Sequence, residues 1–300
     1  MRTLPALLIC TGLVASACGK KPGAYETLAK DDSTAKAADA ELAAAEGLWN
    51  KRGDATQLEK AITAYEALAT ARPNDRAILT RTTRAWYFLA DAHTTDKSLK
   101  KERYLKAIEW GKRCMAVNTE FARMVNEENA KESEAAAVLK VEDVPCMYWT
   151  ASALGRWAKA SGISKSIRHL PTVKAYIGKA EELQPTYFHH GPWRYWGAYY
   201  SVVPSFAGRD LTKSGEYFEK SIAGSPGYLG SYVLRAENLA VNNQDVRMFD
   251  ENLKTVLAFD LNTVPELRPE NAAEQAKAKA LMAERGELFD KKSLQAVDGE

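Results

Sequence analysis

Apolar residues recur three and four places apart along most of the chain, a spacing that predicts a succession of amphipathic helices with almost no strand signal. The clearest instance is Trp193-Arg-Tyr-Trp196-Gly197-Ala-Tyr-Tyr200, where Trp193, Trp196, Gly197 and Tyr200 share one helix face. Ser214, Phe218 and Ser221 repeat the spacing on a second helix, which Pro226 stops. Gly197 is small enough to let a neighbouring helix approach closely, with aromatics filling the space around it. The same reading gives helix pairs at 37–53 with 55–71, 75–94 with 97–117, 143–161 with 164–184, and 228–241 with 245–259. Gly53-Asp54 and Asn242-Asn243 supply turns, while Pro73 and Pro185 close units. Residues 119–139, acidic and alanine-rich, read as an inserted helical arm, and the irregular stretch 203–210 interrupts the fourth pair. A helix over 269–289 would cover the last exposed apolar face, and residues 291–300 read as a disordered tail.

The motif of spaced aromatics around a glycine, then a small residue and Phe218, then a proline, is the tetratricopeptide (TPR) pattern. One helical hairpin cannot bury its own apolar stripe, whereas a stack of them can. The expected fold class is therefore all-α: an α-solenoid of TPR-like hairpins over residues 37–290, with inserts and a C-terminal capping helix. A stack of this kind offers a surface for recognition before it offers a reaction centre.

The ends and the composition add a location. Arg2 precedes an apolar run, Leu4 to Val14, too short to span a bilayer. It leads into Val14-Ala-Ser-Ala-Cys18, which fits a bacterial lipobox. Residues 1–17 are then a signal peptide, Cys18 the acylated mature terminus, and 18–36 a flexible tether. Gly19, with no Asp at that position, favours the outer membrane of a Gram-negative cell. A formal net charge of +2 leaves no electrostatic footprint for nucleic acid. Cys114 and Cys146 fall on different helices; they are either a disulfide, which an oxidising compartment permits, or two small buried residues, the simpler reading.

Catalytic and metal chemistry find little support. His189-His190 point to different faces without a third ligand and read as a turn before the Gly191-Pro192 helix start. No G-x-S-x-G elbow is present. Glu127, Glu128 and Glu132 raise glycan cleavage by a helical muramidase, but an exposed charge run explains them more simply. No cofactor and no metal are expected. A ligand cavity is best sought among Tyr148, Trp149, Trp157, Trp193, Trp196, Tyr199 and Tyr200, most of which would also serve as core. The candidate lining is Trp149, Arg156, Trp193, Arg194, Tyr199 and Tyr200, the two arginines being able to pair with a carboxylate and the 203–210 insert lying at the mouth.

The blocks Arg84-Ala-Trp86-Tyr87, Tyr104 to Ala116 and Asp143 to Trp157 are followed by His190-Gly191-Pro192 through Tyr200, Pro204, Gly208, Asp210 to Lys213, and Asn271 to Lys277. In that order, behind a lipobox, the chain resembles the T component of TRAP transporters, a periplasmic TPR lipoprotein family. The resemblance implies a non-enzymatic accessory subunit, anchored by lipid at the inner leaflet of the outer membrane. Its implied partner is the periplasmic solute-binding (P) subunit, its implied assembly a homo-oligomer, a trimer by the family, and its implied interior a channel that holds or passes a small organic acid or apolar ligand. A general TPR scaffold for envelope assembly is the alternative. One block departs from the family: Ile78-Leu-Thr-Arg-Thr-Thr-Arg84 is more polar than expected, which predicts altered packing there.

Overall fold

The computed structural model describes residues 35–299; the expected signal peptide, Cys18 and all but the end of the tether lie outside the described residues. Every regular element among them is helical. The helices are α1 (Ala35–Trp49), α2 (Ala55–Ala71), α3 (Arg76–His93), α4 (Lys97–Ala116), α5 (Thr119–Asn126), α6 (Glu132–Ala135), α7 (Val144–Ser161), α8 (Ile163–Leu183), α9 (Tyr187–Val202) and α10 (Leu211–Gly224). Then come α11 (Gly230–Leu234), a π-helical stretch Arg235–Ala240, α12 (Val241–Asn243), α13 (Val246–Ala258), α14 (Arg268–Ala283), α15 (Arg285–Leu288) and α16 (Lys291–Asp298). No helix among the described residues is long and apolar enough to cross a membrane.

The starts of these helices are set by side chains. Asp54, Asp75, Asp96, Asn118, Asp210, Asp245 and Asp290 each precede a helix and accept a backbone N–H from its first turn. Each such cap satisfies a donor that the helix leaves open and contributes about 1 kcal/mol. Neighbours in sequence then pack as neighbours in space, from α1 on α2 through α4 on α7 to α9 on α10. At the last of these contacts Ser214 Oγ donates to the Gly197 carbonyl at 2.7 Å, and a Cβ on Gly197 would stand only 2.8 Å from the Phe218 ring. The missing side chain is thus what lets α9 and α10 close together.

Four expectations change. The arm over 119–139 is not one helix: α5 ends at Asn126, Asn129 takes a left-handed φ of 55°, and the chain folds back through α6 against α8. The C-terminal helix breaks after Ala283, and residues 291–300 are not a disordered tail throughout, since α16 occupies Lys291–Asp298. It is capped by Asp290 and tied by Arg285 to Asp298 at 2.8 Å. Cys114 and Cys146 form a disulfide that joins α4 to α7, with Thr80 Oγ1 at 3.4 Å from Cys114 Sγ. The polar block in α3 packs without loss: Thr82 and Thr83 are buried, and their hydroxyls donate to the carbonyls of Ile78 and Leu79, each at 2.8 Å. That local bond is how a buried threonine substitutes for an apolar residue on a helix.

The C-terminal part does more than cover the last pair. Besides packing on α13 and α11, α14 touches α3. Its Glu270 receives Arg52 Nη2 at 2.7 Å and Arg84 Nη2 at 2.7 Å, and its Lys277 reaches Asp91 at 2.5 Å. α14 therefore meets α3 and the turn between α1 and α2, and the chain closes around an interior hollow.

Candidate functional site

That hollow is a cavity of about 370 Å³ with walls from α3, α7, α8, α9, the α11 region and α14. The volume lies within the ordinary range for small-molecule sites. Its closed end is built on an unusual stretch of backbone. Phe188, His189 and His190 all have left-handed φ, at 44°, 57° and 56°, before regular helix resumes at Gly191-Pro192. A left-handed residue with a side chain costs roughly 1–2 kcal/mol, so three in a row persist only because the surroundings hold them.

The holding group is Arg194. Its Nη1 donates to the His189 carbonyl at 2.9 Å, and its Nη2 donates to the Phe188 carbonyl at 3.2 Å and to Tyr148 Oη at 2.8 Å. The guanidinium also lies over the Tyr228 ring at 4.2 Å. Arg194 is 4% exposed, yet among the described residues no carboxylate forms an ion pair with it. Burial works against its charge and the phenol oxygens of Tyr148 and Tyr228 favour it, with the balance above the ordinary arginine value. His189 stacks on the same Tyr228 ring at 5.3 Å; burial and the charges of Arg194 and Arg84 push its imidazole pKa down and favour the neutral ring.

The remaining charges in the wall are matched. Glu270 is shared by Arg52 and Arg84; burial would raise its pKa, but these two arginines hold it below the ordinary glutamate value. Asp91 takes Lys277, Arg156 at 3.6 Å and the Tyr104 hydroxyl at 2.9 Å. Burial opposes its ionisation, and the Lys277 and Arg156 charges overcome that and hold the carboxyl well below its usual range. Two arginine guanidiniums flank the Phe188 ring, Arg84 at 4.5 Å and Arg194 at 5.7 Å. Between the charged groups the surface is apolar and aromatic, with Tyr87, Trp149, Leu170, Val173 and Tyr195 among its contributors. At the open end stand Ile163, Ile167 and Val202, exposed by 61%, 43% and 43%. Phe206, in the short turn after Pro204, is 81% exposed.

Of the six residues picked from sequence, Trp149, Arg156, Arg194 and Tyr199 line this cavity. Trp193 and Tyr200 do not: Trp193 stacks on His190 of its own element at 5.0 Å, and Tyr200 stacks on Tyr217 of α10 at 5.8 Å. Arg156 is neutralised by Asp91, which leaves Arg194 as the arginine without a carboxylate. Val203 and Pro204 of the insert do reach the cavity wall. Sequence reasoning missed Arg84, Tyr228 and Glu270, which come from distant helices. Arg84 stands in one of the blocks quoted above, whereas Tyr228 and Glu270 stand in none. A second hollow of about 430 Å³ adjoins the first and shares Arg84 and Trp149 with it. Among the described residues no group of three or more His, Cys, Asp or Glu is placed to hold a metal ion.

A family model described as TRAP transporter T-component matches residues 55–289. No curated protein matches the chain. The matched span includes every residue of the cavity wall named above.

Proposed function

The chain belongs to the TRAP transporter T-component family, and on that footing we propose that it is the accessory subunit that docks the periplasmic solute-binding protein of its transporter, with the central cavity holding a small ligand. The observation that carries this reading is the apolar rim. Ile163, Ile167, Val202 and Phe206 are large, exposed and gathered about or beside the mouth of a cavity whose far end is charged. Exposed apolar groups around a concave site mark surfaces that another molecule covers. The helix pairs act as a TPR-like solenoid that presents this rim. Arg84 and Trp149 are the partition between the two hollows through which a ligand would pass. Acylation of Cys18 ties the subunit to the outer membrane, and the protein works as a homo-oligomer, taken as a trimer from the family.

The test is a pull-down from solubilised envelopes with the full chain, beside Ile163→Asp and Val202→Asp. The unchanged chain should recover a solute-binding protein. Both variants should lose it while their melting temperatures stay put, because exposed positions contribute little to stability. Recovery of envelope-assembly factors with no solute-binding protein would sink the reading.

A further inference from the structure

The wall of the cavity contains one charge that the protein itself does not answer. Arg84 and Arg156 have carboxylate partners at 2.7 and 3.6 Å, whereas Arg194 has only two carbonyls and a phenol. Buried ions are ordinarily paired, since removing an isolated charge from water is costly. Here the guanidinium is nine-tenths buried, fixed by three hydrogen bonds and flattened on Tyr228, and it faces a hollow. The bonds named use one N–H of Nη1 and those of Nη2, which leaves Nε and the other N–H of Nη1 with no acceptor among the described residues. Nε–H lies on the edge of the guanidinium shared with Nη2, whose hydrogens are already taken, so Nε offers a carboxylate one charge-assisted hydrogen bond.

Resting on the reading of the cavity as a ligand site, we infer that its ligand is a monocarboxylate with an apolar tail, its carboxylate on Arg194 Nε and its tail running toward Ile163, Ile167 and Val202. One unanswered positive charge calls for a monoanion and not for a dicarboxylate or a phosphate dianion. The path from Arg194 to the mouth passes Leu170, Val173, Tyr195 and Tyr199, which offer hydrocarbon and ring surface with few polar groups. A hydrophilic tail would lose hydration along that path without regaining hydrogen bonds. The other cations stay with their own carboxylates. The hydroxyl of Tyr148 already accepts from Arg194, so its own proton is available to a ligand oxygen.

The experiment titrates the purified full chain calorimetrically with octanoate, octan-1-ol and octylammonium, and then with butanoate and hexanoate. Octanoate should bind about 10- to 100-fold more tightly than the alcohol, the range for a charge-assisted hydrogen bond. Octylammonium should give no heat, and shortening the acid should weaken binding about fourfold per methylene. Arg194→Met should make the acid and the alcohol equal. Because Arg194 also holds the Phe188–His190 turn, the comparison of head groups on the unchanged protein is the deciding one. Tyr148→Phe, which keeps the ring and removes one acceptor, should weaken octanoate and leave octan-1-ol unaffected. Equal binding of acid and alcohol by the unchanged protein would overturn the assignment while leaving an occupied cavity. No binding by any of the probes would overturn both the assignment and the reading of the cavity as a ligand site. The titration contains no partner, so neither result depends on recovery of a solute-binding protein.

Discussion

Arg52 Nη2 donates to Glu270 Oε2 across 2.7 Å, joining two buried side chains that stand 218 positions apart in the chain. Arg84 donates to the other oxygen of the same carboxylate, so one anion answers two guanidiniums, one from the α1–α2 turn and one from α3. Glu270→Gln leaves both cations short of a partner. Loss of one member of a buried charge group costs about 3–5 kcal/mol, and urea unfolding of the variant should show a decrease in that range.

The same carboxylate predicts a pH dependence. Its folded pKa lies below the ordinary value of 4.5. A depressed carboxylate contributes stability that is fully present above the unfolded value and is lost as the pH falls through the folded one. The urea midpoint of the unchanged protein should therefore drop as the pH is lowered from 4.5, and Glu270→Gln should flatten part of that drop. Parallel curves for the two proteins would mean that Glu270 does not titrate as described.

Gly197 and Trp196 test the α9–α10 contact from opposite sides. A valine at 197 would place its Cβ 2.8 Å from the Phe218 ring and force the helices apart, an overpacking that costs about 1–3 kcal/mol. Trp196→Ala empties the neighbouring space, since the indole is 8% exposed, and should cost about 3–5 kcal/mol. Thermal melts of the two variants check both figures.

How much of this was legible depended on how local each cause is. The α9 and α10 helices, their aromatic face and the role of Gly197 were readable because spacing within one helix decides them. The break in the 119–139 arm was not, because an alanine-rich run has high helix propensity and only Asn129 in its left-handed turn ends it. Trp193 and Tyr200 were picked with Tyr199 because all three lie on neighbouring helical positions. Which of them faces the hollow depends on where α8 and α10 sit, and no local pattern encodes that. Arg194 was picked as a carboxylate partner, but its lack of a counter-charge is a property of residues that surround it from α3, α7 and α14. The disulfide was left open for the same reason: its cysteines stand 32 positions apart, and the chain between them includes a folded arm whose path had first to be known.

Reduction of that disulfide gives a further expected outcome. Cross-linking a loop of this length restricts the unfolded chain by about 3–4 kcal/mol. Cys114→Ala with Cys146→Ala, or the unchanged protein in dithiothreitol, should lower the urea midpoint accordingly, and dithiothreitol should have no further effect on the double variant.

The polar block in α3 should tolerate replacement. Thr82 and Thr83 donate to carbonyls that also sit within the helix ladder, so removing either hydroxyl orphans no backbone group. Thr82→Val and Thr83→Val should each change stability by less than about 1 kcal/mol, as read from denaturant midpoints.

The meeting of α14 with the first helices also sets the order in which the molecule is completed. Early hairpins gain their contacts from residues close by in sequence, whereas the Arg52–Glu270 and Asp91–Lys277 pairs wait for the whole chain. Contacts so remote in sequence form late, because the intervening segment must first surrender its freedom. A growing or truncated polypeptide that ends before Arg268 would thus contain most of the helices and yet lack one wall of the hollow, which is completed only with the final stretch.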